Sequence, residues 1–285
     1  MILEAQVERS ISPLALGIVS DEISPDFHQA LEHGLNWGIS RYELRNLTSG
    51  RIPNVDTAEI EDVLKQVARY RVMLSALSPG IFKHSLSKSA ELEKELSDTL
   101  PRTMEIAKKF GTRLIIVFGF QRERGEPDDR YHRAVELMRK ATAIAERGGM
   151  RLAVENEPGF WCDSGENTAK LIRDVGSKSL GANWDPCNGY GTAEIPYPDG
   201  YRAIKEFIFN VHVKDTTEGA LVRCVPVGEG AIDWKGQLNA LVQDRPVEHI
   251  TIETHCLPLI EKSRQNVETL RRMLSQIPTA AGASA

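Results

Sequence analysis

Four residues in the second half of the chain have the types and placement to bind a cation. Glu155 follows Leu152, Ala153 and Val154, Asp185 lies in ANWDPCN, His212 in NVHVKD and Glu253 in TIETH. Each interrupts or closes a short apolar run where a core would take another aliphatic residue. Two glutamates, an aspartate and a histidine make a donor set for one divalent ion with several oxygen ligands. Mn²⁺ fits this mixture best, and Mg²⁺, Co²⁺ and Zn²⁺ are compatible with it. Such an ion would also offset the cost of packing carboxylates together away from water. The four cysteines, Cys162, Cys187, Cys224 and Cys256, show no CxxC spacing, so neither a thiolate metal site nor a disulfide framework is expected.

Alternation along a strand extends the set. Glu157 shares a face with Glu155, Lys214 with His212, Cys187 with Asp185 and His255 with Glu253. Glu43 and Arg45 share a face near the end of an earlier apolar run, and Lys83 and His84 follow another. Glu157, Lys214, His255, Glu43 and Arg45 are therefore expected around whatever the ion binds. Singly, each has an ordinary reading. A strand-end glutamate is commonly a solvated cap, a lone histidine a hydrogen-bonded core residue, and Glu43 with Arg45 an ion pair bracing the fold. Four ligands on four consecutive strand ends outweigh those readings taken one at a time.

Something must bring those ends together. Apolar runs rich in Val, Ile and Leu occur at 14–20, 39–45, 72–78, 113–119, 151–156, 180–186, 208–214 and 249–254. Between them lie segments of helical period. The first is expected to start with Ser24 as N-cap and Pro25 at the first helical position. The second places Ile60, Val63, Leu64 and Val67 on one face. A third, near 89–110, contains Pro101 and should kink or break there. Eight strand–helix repeats with no linker between them predict an α/β protein, a single (β/α)₈ TIM barrel over residues 1–285. About 1–12 would be an N-terminal extension and about 278–285 a flexible tail. A doubly wound open sheet is the competitor, disfavoured by the strand count and by the lack of GxGxxG after the first strand.

The quartet, with SDEISPDF and YELRNL near the start and TIETH near the end, resembles the xylose isomerase-like TIM barrel superfamily. Its sugar-phosphate isomerase/epimerase branch, with the D-tagatose 3-epimerase-like and inosose dehydratase-like enzymes, is the most similar. The resemblance implies that Glu155, Asp185, His212 and Glu253 hold the metal. It also implies that Glu155 and Glu253 are catalytic, one removing a proton beside a carbonyl and the other returning one through a metal-stabilised enediolate. Epimerases of that branch carry a substrate-contacting histidine three residues after the aspartate ligand. Here that position is Asn188, which can bind a hydroxyl but cannot carry a proton.

The expected activity is thus a divalent-metal-dependent isomerase or epimerase of a sugar, keto-sugar or polyol. The alternative is a dehydratase or lyase sharing the first step, with His255 or Lys214 as the acid. A remote alternative, an endonuclease IV-like nuclease, lacks the extra histidines it would need. The formal net charge of −5 also offers nothing to nucleic acid or anionic membrane. No apolar run approaches the roughly 20 residues that span a bilayer. The start, MILEAQVERS, does not read as a secretory signal, and a cytoplasmic location follows as the expectation. A homo-oligomer is compatible with all of this, and no residue pattern fixes its interface.

Overall fold

A computed structural model describes residues 14–278. The expected N-terminal extension and, apart from Pro278, the expected tail lie outside that range. Eight parallel strands close a barrel in sequence order: β1 (Ala15–Val19), β2 (Arg41–Leu44), β3 (Met73–Ile81), β4 (Leu114–Phe118), β5 (Arg151–Glu155), β6 (Leu180–Trp184), β7 (Ile208–Val213) and β8 (His249–Ile252), which returns to β1. The helices that follow them in turn are α1 (Phe27–Asn36), α2 (Thr57–Tyr70), α3 (Leu100–Phe110), α4 (Tyr131–Arg147), α5 (Gly165–Val175), the single turn α6 (Tyr201–Ile204), α7 (Trp234–Asp244) and α8 (Leu259–Ser275). No helix among the described residues is long and apolar enough to cross a membrane.

Two helix starts differ from expectation. Asp26, not Ser24, caps α1, its Oδ1 accepting from the amides of His28 and Gln29. Ser24 instead accepts from the Asp26 amide, one turn early, and so orients the cap. Pro101 does not break its helix. It sits at the start of α3, where a missing N–H costs least, after a π-helical turn over Glu95–Thr99 that joins Ser89–Lys94 to α3.

The main apolar core lies between the strands and the helices. A second, small cluster of Ala76, Ile116 and Ala153, with Leu114 and Phe209 against it, lies inside the barrel. Gly181 makes room there, since a Cβ at that position would meet the Phe209 ring at 2.4 Å. The lumen turns polar above this floor. Glu43, Asn183, Asn210 and Thr251 are all fully buried, and His212 is 2% exposed. Register sets that layer, with Glu155 opposite both Phe118 and Asn183, and Thr251 opposite His212. Aliphatic side chains would fill such a layer more cheaply, because every polar group placed here needs a partner.

Candidate metal centre

Ligand atoms of Glu155, Asp185, His212 and Glu253 all lie within 4.8 Å of one another, and all four residues are buried. Glu155 is the last residue of β5. Glu253 follows β8, and its amide still donates to Val213 O at 3.0 Å, so the sheet holds the backbone beneath it. Asp185 caps a short turn, Pro186–Gly189, its Oδ1 accepting from the Asn188 amide at 3.1 Å. That leaves Oδ2 to face the centre. Asn156 ties the two loops together, accepting from the Asp185 amide and donating to its carbonyl, each at 2.8 Å. Two such bonds contribute roughly 1 kcal/mol each to holding the aspartate in place.

His212 presents Nδ1 to the carboxylates, 3.6 Å from Glu155 Oε2 and 3.4 Å from Glu253 Oε2. Its Nε2 faces Glu43, with both carboxylate oxygens at 3.1 Å. Glu43 also accepts from Ser78 Oγ and from Asn210 Nδ2. A chain of amides links it back to the centre. Asn210 Nδ2 donates to Asn183 Oδ1 at 3.0 Å, and Asn183 Nδ2 to Glu155 Oε2 at 3.1 Å. A carboxylate behind a ring nitrogen in this way orients the ring and aims the other nitrogen at the centre, where Asn183 Nδ2 also lies 3.1 Å from it. Glu43, expected beside the substrate, thus has its polar contacts behind the histidine, although it also lines the cavity.

The charge balance calls for positive charge. Burial works against a protonated His212, but Glu43, Glu155 and Glu253 outweigh it and lift its pKa well above the ordinary value. Lys214 behaves alike: burial disfavours its charge, and Asp185, Glu253 and Glu155 more than restore it. Burial raises Asp185 to about 6, against the pull of Lys214 and with Glu155 and Glu253 adding to the rise. Glu253 lies well below its ordinary value, since Lys214, His255 and His212 overcome its burial. Glu155 is lowered too, burial being outweighed mainly by His212. The buried Asp185 Oδ2 has no hydrogen bond, although the Lys214 ammonium stands 2.8 Å away. An under-used carboxylate oxygen, two more carboxylates and an imidazole nitrogen whose one hydrogen-bond neighbour is Asn183 Nδ2, at 3.1 Å, fit a hard or borderline divalent ion.

The remaining expected residues surround this centre at the mouth of the barrel, on a cavity of about 260 Å³. Lys214 Nζ bridges Asp185 and Glu253, 2.8 Å from each. Asn188 donates to Glu155 Oε1 at 3.2 Å and to Asn156 O at 2.8 Å. Glu157 lies further out, paired with Lys83 at 3.0 Å. Lys83 lines the cavity as well, whereas His84 turns away to Glu95. Arg45 donates to Glu253 Oε1 at 2.8 Å, to Glu22 at 2.6 Å and to Asp21 at 3.0 Å. His255 joins them, 3.1 Å from Glu22 and 3.3 Å from Glu253. Its backbone has φ +49°, so simple alternation from Glu253 does not describe how it arrives. Alternation likewise ends at Asp185, because a helical turn begins at Pro186 and carries Cys187. Sequence reading missed Asp21, Glu22, Asn183, Asn210 and Arg51. SDE at the end of β1 was the available signal for the acidic pair, being two more carboxylates at the same rim.

The family model for the xylose isomerase-like TIM barrel matches residues 30–275, and the chain belongs to that family. Among solved structures it is similar to the probable 3-DHS dehydratase AsbF of Bacillus anthracis, with a TM-score of 0.76 at 15% identity over 90% of this chain and 98% of that one. A D-tagatose 3-epimerase-like protein gives 0.76 at 18% identity, over 92% and 97%. The IOLI protein with a binding zinc atom gives 0.74 at 19%, over 93% and 99%. At these identities the likeness is one of fold. None of the curated proteins compared with the chain matches it in sequence.

Proposed function

We propose that the protein is a divalent-metal-dependent isomerase or epimerase that moves a proton on a carbon beside a carbonyl of a carbohydrate-like substrate, with Mn²⁺ as the favoured ion. One observation carries this reading: two carboxylates at the ends of different strands, Glu155 and Glu253, flank the His212 ring nitrogen and line one cavity. An ion held by Glu155, Asp185, His212 and Glu253 would supply the positive charge that makes so weak a carbon acid reactive. The two glutamates are held unequally. Glu253 Oε1 is bound by Arg45, and its Oε2 by Lys214. Glu155 accepts from the neutral amides of Asn188 and Asn183, and its nearest cation is the His212 ring, 3.6 Å away. Glu155 is therefore the stronger base and takes the proton, while Glu253 returns one on the opposite face, and exchange with solvent at the cavity mouth resets both carboxyls. Lys83 and Glu157 orient the substrate further out.

A second reading shares the first step and ends in elimination. It is favoured by His255, which lines the cavity and is lifted to about 10, chiefly by Glu253, so that it carries a proton at neutral pH for a departing hydroxyl or alkoxide. The test of both is deuterium exchange in D₂O, followed by NMR, over a panel of ketoses, keto-inositols, 3-keto-glycosides, sugar acids and keto-acids with Mn²⁺ present. Exchange with interconversion supports the isomerase, and exchange with loss of water or an aglycone supports the lyase. No exchange on any of them, with metal bound, would refute the proton transfer. Glu155→Gln should stop the exchange while the protein stays folded.

A further inference from the structure

Five cationic side chains outside the proposed ligand set line the cavity, and four of them are spoken for. Arg45 pairs with Asp21, Glu22 and Glu253, Lys83 with Glu157, Lys214 with Asp185 and Glu253, and His255 with Glu22 and Glu253. Arg51 has no carboxylate within 4.0 Å among the described residues. It ends a two-stranded ribbon, Asn46–Leu47 with Gly50–Arg51, and its guanidinium lies flat on Gly80. A Cβ at Gly80 would meet Cζ at 2.9 Å, Nε at 3.0 Å and Nη2 at 3.1 Å, and Gly80 has φ +80°. Only glycine both adopts that backbone readily and leaves the guanidinium its seat. Arg51 Nε donates to Ser78 O at 3.2 Å, which fixes the plane of the group. Neither Nη has a hydrogen bond within the described protein.

We infer that Arg51 is the receptor for a carboxylate carried by the substrate, so that the proton transfer proposed above, on which this assignment rests, acts on a sugar acid or keto-acid rather than a neutral sugar. A half-buried guanidinium stays charged and is costly when unpaired. Burial and the neighbouring Arg45 act against its charge, Asp21, Glu155 and Glu253 offset only part of that, and a bound anion would supply the rest. Two free Nη groups in one plane match the two oxygens of a carboxylate. A phosphate dianion fits less well, because Glu155, Glu157 and Glu253 line the same cavity and repel a second negative charge.

The test is calorimetric titration of the Mn²⁺-loaded protein with glucuronate, glucose and glucose 6-phosphate, and with galacturonate and galactose. The uronates should bind about ten- to a hundred-fold more tightly than their neutral counterparts, the range of one charge-assisted contact. Arg51→Gln should erase that preference by weakening the uronates, and Arg51→Lys should keep part of it. Equal or undetectable binding of uronates and neutral sugars by the wild-type protein would overturn the assignment. So would a preference that persists in Arg51→Gln. Tighter binding of glucose 6-phosphate than of glucuronate would overturn the carboxylate in favour of a phosphate. Calorimetry needs no turnover. An Arg51-dependent preference without deuterium exchange would therefore sink the proton transfer and spare the anion site, and exchange on neutral ketoses alone would do the reverse.

Discussion

Replacing Glu43 by glutamine changes no heavy-atom shape and removes one charge 3.1 Å from His212 Nε2. The consequence runs further than that pair. Glu43 Oε2 accepts from Asn210 Nδ2 at 3.2 Å, so an amide nitrogen placed there meets another donor. If Asn210 turns over to relieve it, its oxygen faces Asn183 Oδ1, now 3.0 Å from Nδ2. If Asn183 turns as well, its oxygen faces Glu155 Oε2, now 3.1 Å from its nitrogen. If the glutamine turns its nitrogen the other way, it meets the Ser78 hydroxyl instead, and that hydroxyl must reorient. The weakened hold on the His212 tautomer should lower metal affinity about ten- to a hundred-fold, the usual effect of losing a partner behind a ligating histidine. That is about 1.4–2.7 kcal/mol of binding. A donor left unsatisfied in this layer costs about 1–3 kcal/mol of stability. Mn²⁺ affinity measured against a chromophoric chelator, with calorimetric melting of the metal-free protein, reads the two effects separately. Unchanged affinity in Glu43→Gln would refute the reasoning, because it would mean that His212 needs no carboxylate behind it or does not ligate.

Other outcomes follow from the same geometry. At a metal concentration a hundred times Kd the ion should stabilise the fold by about 2.7 kcal/mol, so chelation should lower the melting temperature by roughly five to ten degrees; an unmoved melting curve counts against the centre. Metal affinity should rise with pH, because the ion displaces protons. Asp185, raised to about 6, is mostly protonated below that value, so the loss of affinity should steepen as pH falls through 6, and a pH-independent Kd would contradict this. Gly165→Ala should destabilise by about 1–3 kcal/mol in a denaturant titration, because its Cβ would stand 2.4 Å from the backbone oxygen of Gly200. Lys214→Gln removes the ammonium between Asp185 and Glu253, so Asp185 should titrate higher than about 6 and metal-free stability should go on falling to a higher pH. The sign follows from a carboxylate whose folded pKa exceeds its unfolded one: it favours the folded state at low pH and loses that advantage as pH rises through the folded value.

Local pattern was enough for the barrel and for the identity of the quartet. Short β-branched runs alternating with amphipathic helices leave few other ways to bury both strand faces, and a closed barrel then gathers Glu155, Asp185, His212 and Glu253 at one mouth. Strand alternation carried less far. It holds while the chain is extended and stops where the backbone turns, at Pro186 and at His255. What Glu43, Asn183 and Asn210 do was not readable, because their partners come from other strands and depend on register shifts at β2 and β6. Arg51 shows the limit most plainly. As a residue type it is ordinary surface. It lies without a carboxylate partner because Gly80, on another strand, lets it lie flat, while Glu253 and Glu157 in the same cavity are engaged by Arg45, Lys214 and Lys83. Residue types determined which charges the site contains, and only the tertiary structure decided which of them had already found a partner.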